Sequence, residues 1–383
     1  MKFIFPCLHC DIFCSVVDNY GDIGVAWRLA RQLQREHGLQ VRLWLDDTAT
    51  LHRIWPEARA DATQQQVAGI EVRHWPVDFP EVTPAPLVIE TFGCRLPESY
   101  LAAMSAREPK PLWLNLDHLS AEAWVKDYHG LPSPHPRLPL TAYFFYPGFE
   151  VGTGGLIREA DLTMRRQAMQ TDPTAREAFW RSLRLTPPDG DTLSVSLFAY
   201  DNPAIPALLA AWVNSRRPVR CLVPEGIVLD AVGRFFATPL APGQQVSSGA
   251  LEVCALPFFD QDGYDRLLWA CDLNFVRGED SFVRAQWAAL PMVWNIYVQE
   301  AGAHWPKLHA FLDRYCLGME PAAAKAYRQF TEAWNRNQDI AQAWPALLEQ
   351  LPALSRHSQA WAEHLAAMPD LASQLMLFCQ KKL

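Results

Sequence analysis

Residues 11–45 read DIFCSVVDNYGDIGVAWRLARQLQREHGLQVRLWL, and this stretch decides the fold. A β-rich run at 11–17 is followed by a polar turn, then by residues 25–36 with apolar side chains at helical spacing, and then by a second β-rich run at 40–45. Strand, helix and strand at this spacing predict two parallel strands joined by a crossover helix. Such a sheet binds its ligands at the carboxyl ends of its strands.

The same alternation continues along the chain and is interrupted twice. Residues 130–139 contain four prolines and predict a surface loop, and the breaker TPPDG at 186–190 follows a predicted helix at 172–184. A second alternation starts after the breaker, and everything after Trp305 has a helical pattern. The further predicted strands are 71–75, 87–90, 112–116, 192–198, 219–223, 251–256, 273–276 and 292–297, and the further predicted helices are 205–214, 226–235, 264–270 and 281–289.

Two successive α/β halves predict two domains, which also suits a length of 383 residues. We place the first domain at 1–188, completed by a C-terminal helix at about 367–383, and the second at 189–366. The predicted architecture is two facing Rossmann-like domains with a cleft between them and a C-terminal helix that crosses back.

The composition excludes several classes of protein. A formal net charge of -8 argues against a nucleic-acid binder, because neutralising phosphates requires an excess of Lys and Arg. No stretch approaches the roughly 20 apolar residues of a membrane span. Nine scattered cysteines do not resemble a secreted disulfide framework, and Cys7-x-x-Cys10 lacks a second ligand pair for a metal. We therefore expect a cytoplasmic protein with reduced cysteines and no metal site.

The turn after the first predicted strand contains two carboxylates. Asp18 and Asp22 frame this turn, where a dinucleotide-binding protein would carry a Gly-rich phosphate loop. One interpretation is purely structural, with Asp22 as the N-cap of the helix. The other is chemical, because two carboxylates disfavour a phosphate and suit a cation or the removal of a proton from a nucleophile.

A second polar turn, RGEDS at 277–281, follows the strand predicted at 273–276. Asp280 and Ser281 are suited to cap the next helix, which would leave backbone N–H groups for a diphosphate, and Arg277 supplies a positive fork for the same phosphates. Glu279 is suited to accept hydrogen bonds from sugar hydroxyls. The alternative is a capped surface helix with an Arg277–Asp280 pair.

Both turns carry long motifs of a known family. DIFCSVVDNYGDIGV at 11–25 and NFVRGEDSFVRAQW at 274–287 resemble the two signatures of the bacterial protein-arginine rhamnosyltransferases that modify elongation factor P. The resemblance covers essentially the whole chain. It implies a GT-B fold, dTDP-β-L-rhamnose as the donor, inversion at the anomeric carbon, and an arginine of the elongation factor P N-terminal domain as the acceptor. The modified factor would then support translation of polyproline stretches.

The resemblance also implies roles for individual residues. Asp18, Asp22 and Glu279 would be the critical carboxylates; we hypothesise that Asp22 is the general base and that Asp18 orients the acceptor. A set of further residues would bind the substrates: Asn19, Tyr20, Gly21, Tyr200, Phe258, Gln261, Arg277, Asp280 and Ser281. No cofactor is implied, and Arg277 with a helix N-terminus would offset the leaving diphosphate, so we predict that no metal is needed.

Some features depart from the family pattern, and other functions stay open. The extension at 1–10 is longer than usual, and Asn295 and Val298 replace an expected His and Pro, which bears on fine contacts to the donor.

A dehydrogenase also has α/β lobes, but the Gly-rich fingerprint is missing. A non-catalytic module that docks on a translation factor would leave both polar turns without a purpose. A glycosyltransferase with another sugar or acceptor is the closest alternative.

Overall fold

The computed structural model describes residues 8–17 and 20–382 of the chain. Two compact units divide it: the first is Met1–Ala160 with Leu365–Leu383, and the second is Asp161–His364. Each unit is built on one mainly parallel sheet with helices, as the α/β alternation predicts.

The described residues of the first unit form a sheet of eight strands and five helices. In chain order they are β1 (His9–Cys14), α1 (Gly21–His37), β2 (Gln40–Leu45), α2 (Thr48–Ile54), β3 (Gln64–Val67), β4 (Ile70–His74), β5 (Leu87–Thr91), α3 (Glu98–Ala106), β6 (Leu112–Leu116), α4 (Val125–Tyr128), β7 (Pro132–Pro134), β8 (Thr141–Phe145) and, at the end of the chain, α14 (Leu371–Lys382).

The second unit contains a sheet of six strands and nine helices, apart from a short 3₁₀ turn. In chain order these are α5 (Leu162–Thr171), α6 (Pro173–Ser182), β9 (Leu193–Leu197), α7 (Ile205–Val213), β10 (Val219–Pro224), α8 (Ile227–Phe235), β11 (Gln245–Ser248), β12 (Leu251–Leu256), α9 (Gln261–Ala270), β13 (Leu273–Arg277), α10 (Asp280–Trp287), β14 (Met292–Asn295), α11 (His304–Tyr315), α12 (Pro321–Arg336) and α13 (Ile340–Ala366).

The order of strands places the polar turns at one edge of each sheet. The first sheet has the order β3-β4-β2-β1-β5-β6-β8-β7 and is parallel except for the edge strands β3 and β7. The second has the order β11-β12-β10-β9-β13-β14 and is parallel except for β11. The turns after β1, β5, β6 and β8 therefore lie together along the carboxyl edge of the first sheet, and those after β9, β12, β13 and β14 along that of the second.

The apolar pattern of the strands explains why both sheets are covered. Every residue of β5 and of β9 is buried, which is typical of a parallel strand with helices on both faces. An aromatic cluster packs against one face of the first sheet, where Phe13 meets Trp44 and Tyr100 with ring centroids 5.9 and 4.7 Å apart. Among the described helices, none is long and apolar enough to cross a membrane.

The end of the chain returns to the first unit, as the sequence predicted. Helix α14 packs against α1, where the Gln32 side-chain amide donates to Asp370 Oδ1 at 3.0 Å. The backbone N–H of Leu371 donates to the carbonyl of Leu156 at 2.9 Å. The eight described cysteines form no disulfide among themselves, and Cys7 lies outside the described residues.

Two features differ from the sequence prediction. The boundary predicted after Pro188 lies further along the chain than the division at Asp161, because α5 packs against both α6 and α9 and so joins residues 161–188 to the second unit. The predicted loop at 130–139 contains the short strand β7, which pairs antiparallel with β8. Proline is tolerated there because β7 is an edge strand.

Candidate active site

Asp22 points back into the turn that precedes α1. It lies in the first turn of the helix, is 5% exposed, and its Oδ2 accepts a hydrogen bond from the backbone N–H of Val17 at 3.0 Å. The N-cap is Tyr20, which makes no side-chain cap, and Gly21 is the first helical residue. Asp22 is therefore not the N-cap that the structural interpretation predicted, because it lies two residues after Tyr20. Its carboxylate bonds back to the turn instead. Asp18 and Asn19 lie outside the described residues.

A further carboxylate shapes the same turn. Asp46 follows β2, and its side chain accepts hydrogen bonds from the Ser15 hydroxyl and from the backbone N–H of Val16 at 2.9 Å. The sequence reasoning assigned Asp46 no role, although its position one residue after a strand was a usable signal. Neighbouring Asp47 is the N-cap of α2 and accepts from the backbone N–H of Ala49 at 2.9 Å. Asp46 thus holds Ser15 and Val16 at the start of the turn, and Asp22 holds Val17.

Cys14, at the end of β1, is not a nucleophile in this arrangement. Burial raises the pKa of its thiol well above the usual value, and the negative charges of Asp22 and Asp46 raise it further against an opposing hydrogen bond from Thr91. A thiol in such surroundings stays protonated and inert at neutral pH. The chemistry of the first unit's edge therefore rests on its carboxylates.

In the second unit, Arg277 is held between aromatic rings. Its guanidinium carbon lies 4.7 Å from the centroid of the Phe198 ring and 4.8 Å from that of Tyr200. Both rings follow β9, the strand next to β13 in the sheet. A guanidinium stacked in this way is positioned as a fixed cation with its donors directed along the plane of the group.

The turn after β13 is stabilised from inside by Ser281. The Ser281 hydroxyl accepts a hydrogen bond from the backbone N–H of Arg277 at 3.0 Å and donates to its carbonyl. Gly278 has φ +60°, a left-handed conformation that favours glycine. The N-cap of α10 is Glu279 without a side-chain cap, so the predicted capping by Asp280 and Ser281 is wrong. Ser281 shapes the turn instead.

Two predicted donor residues lie at the start of neighbouring helices. Gln261 is buried at the start of α9, and its amide lies 3.5 Å from Asp280 Oδ2 at the start of α10. Phe258 is partly buried in the turn between β12 and α9, three residues before Gln261 in the chain. The structure thus brings Gln261, Asp280, Ser281, Arg277 and Tyr200 to one edge of the second sheet and places Phe258 on the same edge.

The sequence reasoning missed a second tyrosine at this edge. Tyr297 is 51% exposed, and its ring lies edge-on to Tyr200 with centroids 5.5 Å apart. The sequence pattern predicts Tyr297 as the last residue of a strand at 292–297, whereas β14 ends at Asn295 and leaves Tyr297 in the following segment. Asn295, which departs from the family pattern, is buried and accepts the backbone N–H of Tyr200 at 3.1 Å through Oδ1.

A buried ion pair holds the helices behind the turn. Arg284 in α10 makes a bidentate contact with Asp265 in α9, with N···O distances of 2.9 and 2.6 Å, and both side chains are 1% exposed. Such a pair fixes the relative position of the two helices, because loss of one partner would leave the other as an unpaired buried charge. Within the motif, Arg284 therefore serves the packing of the two helices, whereas Arg277 belongs to the turn itself.

Each unit thus presents a different chemistry at its carboxyl edge. The first offers carboxylates suited to a cation and to proton removal. The second offers a fixed guanidinium beside the N-terminus of α10, a combination suited to a diphosphate, with exposed aromatic rings nearby.

Comparison with known proteins gives a consistent result. Residues 10–380 match the family described as Elongation-Factor P (EF-P) rhamnosyltransferase EarP. The protein-arginine rhamnosyltransferase of Pseudomonas putida is 50% identical over 374 residues, which cover 97% of this chain and 99% of the relative. That of Pseudomonas aeruginosa is 50% identical over 369 residues, covering 96% and 98%. A solved structure described as the basis for EarP-mediated arginine glycosylation of translation elongation factor EF-P matches with a TM-score of 0.71 and 38% identity, covering 98% of this chain and 99% of that one.

Proposed function

Since this chain belongs to the EarP family of elongation factor P rhamnosyltransferases, we propose that it transfers L-rhamnose from dTDP-β-L-rhamnose to one arginine side chain of elongation factor P. The observation that carries the donor part is Arg277, whose guanidinium is fixed over Phe198 and Tyr200. The modified factor then supports translation of polyproline stretches. Because translation factors act in the cytoplasm, the reaction takes place there.

The acceptor chemistry rests on carboxylates. An arginine has a pKa above about 12, so its guanidinium must give up a proton for one of its nitrogens to attack. In the proposed step, Asp22 takes that proton while the nitrogen forms a bond to the anomeric carbon, and Asp18 orients the guanidinium. Val17 contributes by fixing the Asp22 carboxylate through its backbone N–H.

The donor chemistry rests on the second unit. As the new C–N bond forms, the bond between the anomeric carbon and the diphosphate oxygen breaks, and the electron pair leaves with dTDP. Arg277 and the N-terminus of α10 stabilise the leaving charge, and attack from the opposite side inverts the anomeric carbon. Tyr200, Phe258 and Gln261 bind the nucleotide, Asp280 and Ser281 support the diphosphate turn, and Glu279 contacts the sugar. Asn19, Tyr20 and Gly21 form the acceptor turn.

Intact-protein mass spectrometry of elongation factor P tests the proposal. Incubation with this protein and dTDP-β-L-rhamnose should add one deoxyhexose mass. Asp22→Asn should abolish the gain, because the amide can still accept the Val17 N–H but cannot take a proton, whereas calorimetry should show unchanged donor affinity. Asp61→Asn, at an exposed carboxylate of the first unit, is the matched control.

Four outcomes would contradict parts of the proposal. An equal loss of donor affinity in Asp22→Asn would remove Asp22 as the base. Donor binding without a mass gain would point to another acceptor, and a gain from a different nucleotide-sugar alone would point to another donor. Activity should persist in EDTA, because the cation at the diphosphate is Arg277; loss in EDTA with recovery in Mg²⁺ would show that a metal is required.

A further inference from the structure

The first unit carries a patch of aromatic rings that the reaction above does not use. The Trp124 ring lies edge-on to those of Tyr128 and Tyr146, with centroids 5.9 and 5.2 Å apart. Trp124 is 39% exposed and Tyr128 is 52% exposed, whereas Tyr146 is buried behind them. We call Trp124, Tyr128 and Tyr146 the aromatic patch. Large rings clustered at a surface are typical of a contact with a partner.

The aromatic patch lies on the same sheet edge as the acceptor turn. Tyr146 directly follows β8, and Asp117 directly follows the neighbouring strand β6. The backbone N–H of Asp117 donates to the carbonyl of Phe145 at 3.1 Å, which ties the two turns together. Between them and β1, the stacked rings of Phe92 and His118, 4.5 Å apart, occupy the ends of β5 and β6. The turns after β1, β5, β6 and β8 therefore follow one another along this edge, from Asp22 to the aromatic patch.

The spacing of the strands separates the patch from the reacting arginine. Strands β1 and β8 are three positions apart in the sheet, and neighbouring strands lie about 4.8 Å apart, so the two turns are roughly 14 Å apart. An extended arginine side chain reaches about 7 Å from its Cα, given ordinary bond lengths. The arginine that reaches Asp22 thus cannot contact the aromatic patch, but another residue on the surface of the same acceptor can.

The charge next to the patch indicates what that other residue is. Asp117 lies beside Tyr146, because its backbone N–H donates to the carbonyl of the preceding residue, Phe145. Burial raises the pKa of Tyr146, and the negative charge of Asp117 raises it further. On α4 the exposed Lys126 and Asp127 offset each other, and Asp117 adds a negative charge beside the patch. A carboxylate beside tryptophan and tyrosine faces favours a cationic side chain.

We propose that the aromatic patch and Asp117 form a docking surface for a second cationic side chain, a lysine or arginine, on the folded acceptor protein. The inference rests on the proposed function, since the occupant is the protein that presents its target arginine to Asp22. It explains how one arginine is selected: a substrate must carry two cations at a fixed separation on one rigid surface. A peptide that contains the target arginine alone lacks the second cation.

Steady-state kinetics with full-length elongation factor P test this docking surface. Trp124→Ala should raise KM for elongation factor P about tenfold with little change of kcat, because ground-state and transition-state binding lose the same contact. Trp124→Phe should restore part of the affinity, and calorimetry should show unchanged donor binding in both variants. Leu317→Ala, which truncates an 81% exposed side chain in the second unit, is the control and should keep the wild-type KM.

Salt dependence gives a second readout that a packing defect would not change. Raising the salt concentration should raise the wild-type KM, and Asp117→Asn should show a smaller rise because one charge pair is gone.

The outcomes separate this inference from the proposed function. No mass gain with the wild-type protein refutes the function itself. A mass gain with a wild-type KM in Trp124→Ala refutes the docking surface alone. A fall in kcat or in melting temperature that accounts for the whole effect of Trp124→Ala also refutes it, because the residue would then act through the fold.

Discussion

His129 stabilises the backbone behind the aromatic patch. Its Nδ1 accepts the backbone N–H of Tyr146 at 3.0 Å, and its ring lies edge-on to Phe145 with centroids 4.6 Å apart. Only the neutral ring can accept that hydrogen bond at Nδ1. Burial lowers the pKa of His129 below the usual value of 6.5. The folded state therefore favours the neutral form.

The direction of this pKa shift fixes how the stability of the folded state depends on pH. A lowered pKa in the folded state means that the stabilisation is complete above pH 6.5 and is lost as the pH falls through the lower folded value. We expect the free energy of unfolding to fall over this interval, with a slope of at most about 1.4 kcal/mol per pH unit for each proton taken up. Unfolding in urea at a series of pH values measures it.

One variant separates the contribution of His129 to this pH dependence from that of the other histidines. His129→Gln keeps an acceptor but does not titrate, so the loss of stability on acidification should be smaller than in the wild type. Some loss should remain, because burial also lowers the pKa of His37 and His357. Equal slopes in both proteins would show that His129 does not contribute.

Residue types were predictable from the sequence, but the direction of their side chains was not. Asp22 and Ser281 have the side chains of helix N-caps, and each lies within the first turn of its helix. In the structure Asp22 turns back to Val17, and Ser281 bonds to both backbone groups of Arg277. Local preference gives the residue type, whereas the path of the turn, set by the strands around it, decides which donor a side chain meets.

Among the elements, α12 has a role in the donor edge that its sequence does not reveal. Asn335 in its last turn donates to the carbonyls of Trp294 and Thr331, both at 2.8 Å, and accepts the backbone N–H of Ile296 at 3.0 Å. Its Oδ1 also lies 3.3 Å from the amide of Asn295, the residue that holds Tyr200. The end of β14 is thereby fixed to a helix, and Tyr200 to the end of β14.

Asn335→Ala should weaken donor binding without touching the donor. Removing the amide leaves several backbone groups without this partner, so we expect a loss of about 2–3 kcal/mol of stability and a severalfold rise in the dissociation constant for dTDP-β-L-rhamnose. Calorimetry and thermal melting measure the two effects. Asn335→Asp, which keeps the acceptor and loses the donors, should fall between the wild type and the alanine variant. A lower melting temperature with unchanged donor affinity would confine Asn335 to a structural role.

Most of the inner parallel strands were predictable, whereas the antiparallel edge strands and the inner strand β8 were not. Strands β2, β6 and β12 have the predicted bounds, because a mainly apolar run marks a largely buried strand. Strands β3 and β11, with the sequences QQQV and QVSS, pair antiparallel at the edges of their sheets and are largely polar. Such segments become strands only because a partner strand is present, which local sequence cannot show.

For the whole molecule, both ends of the chain build the first unit. The side chains of Leu371, Leu375 and Met376 in α14 are fully or almost fully buried. Burying three large apolar side chains contributes roughly 6 kcal/mol. Arg158 adds a polar link, since its guanidinium donates to the carbonyl of Ala366 at 2.8 Å. The first unit thus depends on the last helix.

A chain that ends at residue 366 should therefore lose the first unit selectively. We expect rhamnosyl transfer to disappear and limited proteolysis to cut within residues 8–160, while the second unit, whose own sheet is intact, still binds the donor in calorimetry. Full-length protein with Lys382→Ala, at the exposed end of α14, is the control. Wild-type transfer by the truncated chain would show that α14 is dispensable.

The fold class and the family follow from two motifs, but the division of the chain does not. The family excludes the dehydrogenase and the non-catalytic module that composition and α/β pattern left open. The breaker at 186–190 is a loop as predicted. It does not separate the units, because the division depends on which sheet α5 and α6 cover, and a breaker in the sequence carries no information on that.

The return of α14 to α1 also imposes an order on synthesis. The ribosome must add residues 161–364 between the main part of the first unit and the segment that completes it. At about 5–20 residues per second, that interval lasts roughly 10–40 s, during which the part of α1 that α14 covers lacks this partner. The second unit is continuous in sequence, and its last residue is added before the segment that completes the first unit. The chain of the second unit is therefore complete before that of the first, and until α14 is added a chaperone can bind the part of α1 that α14 covers.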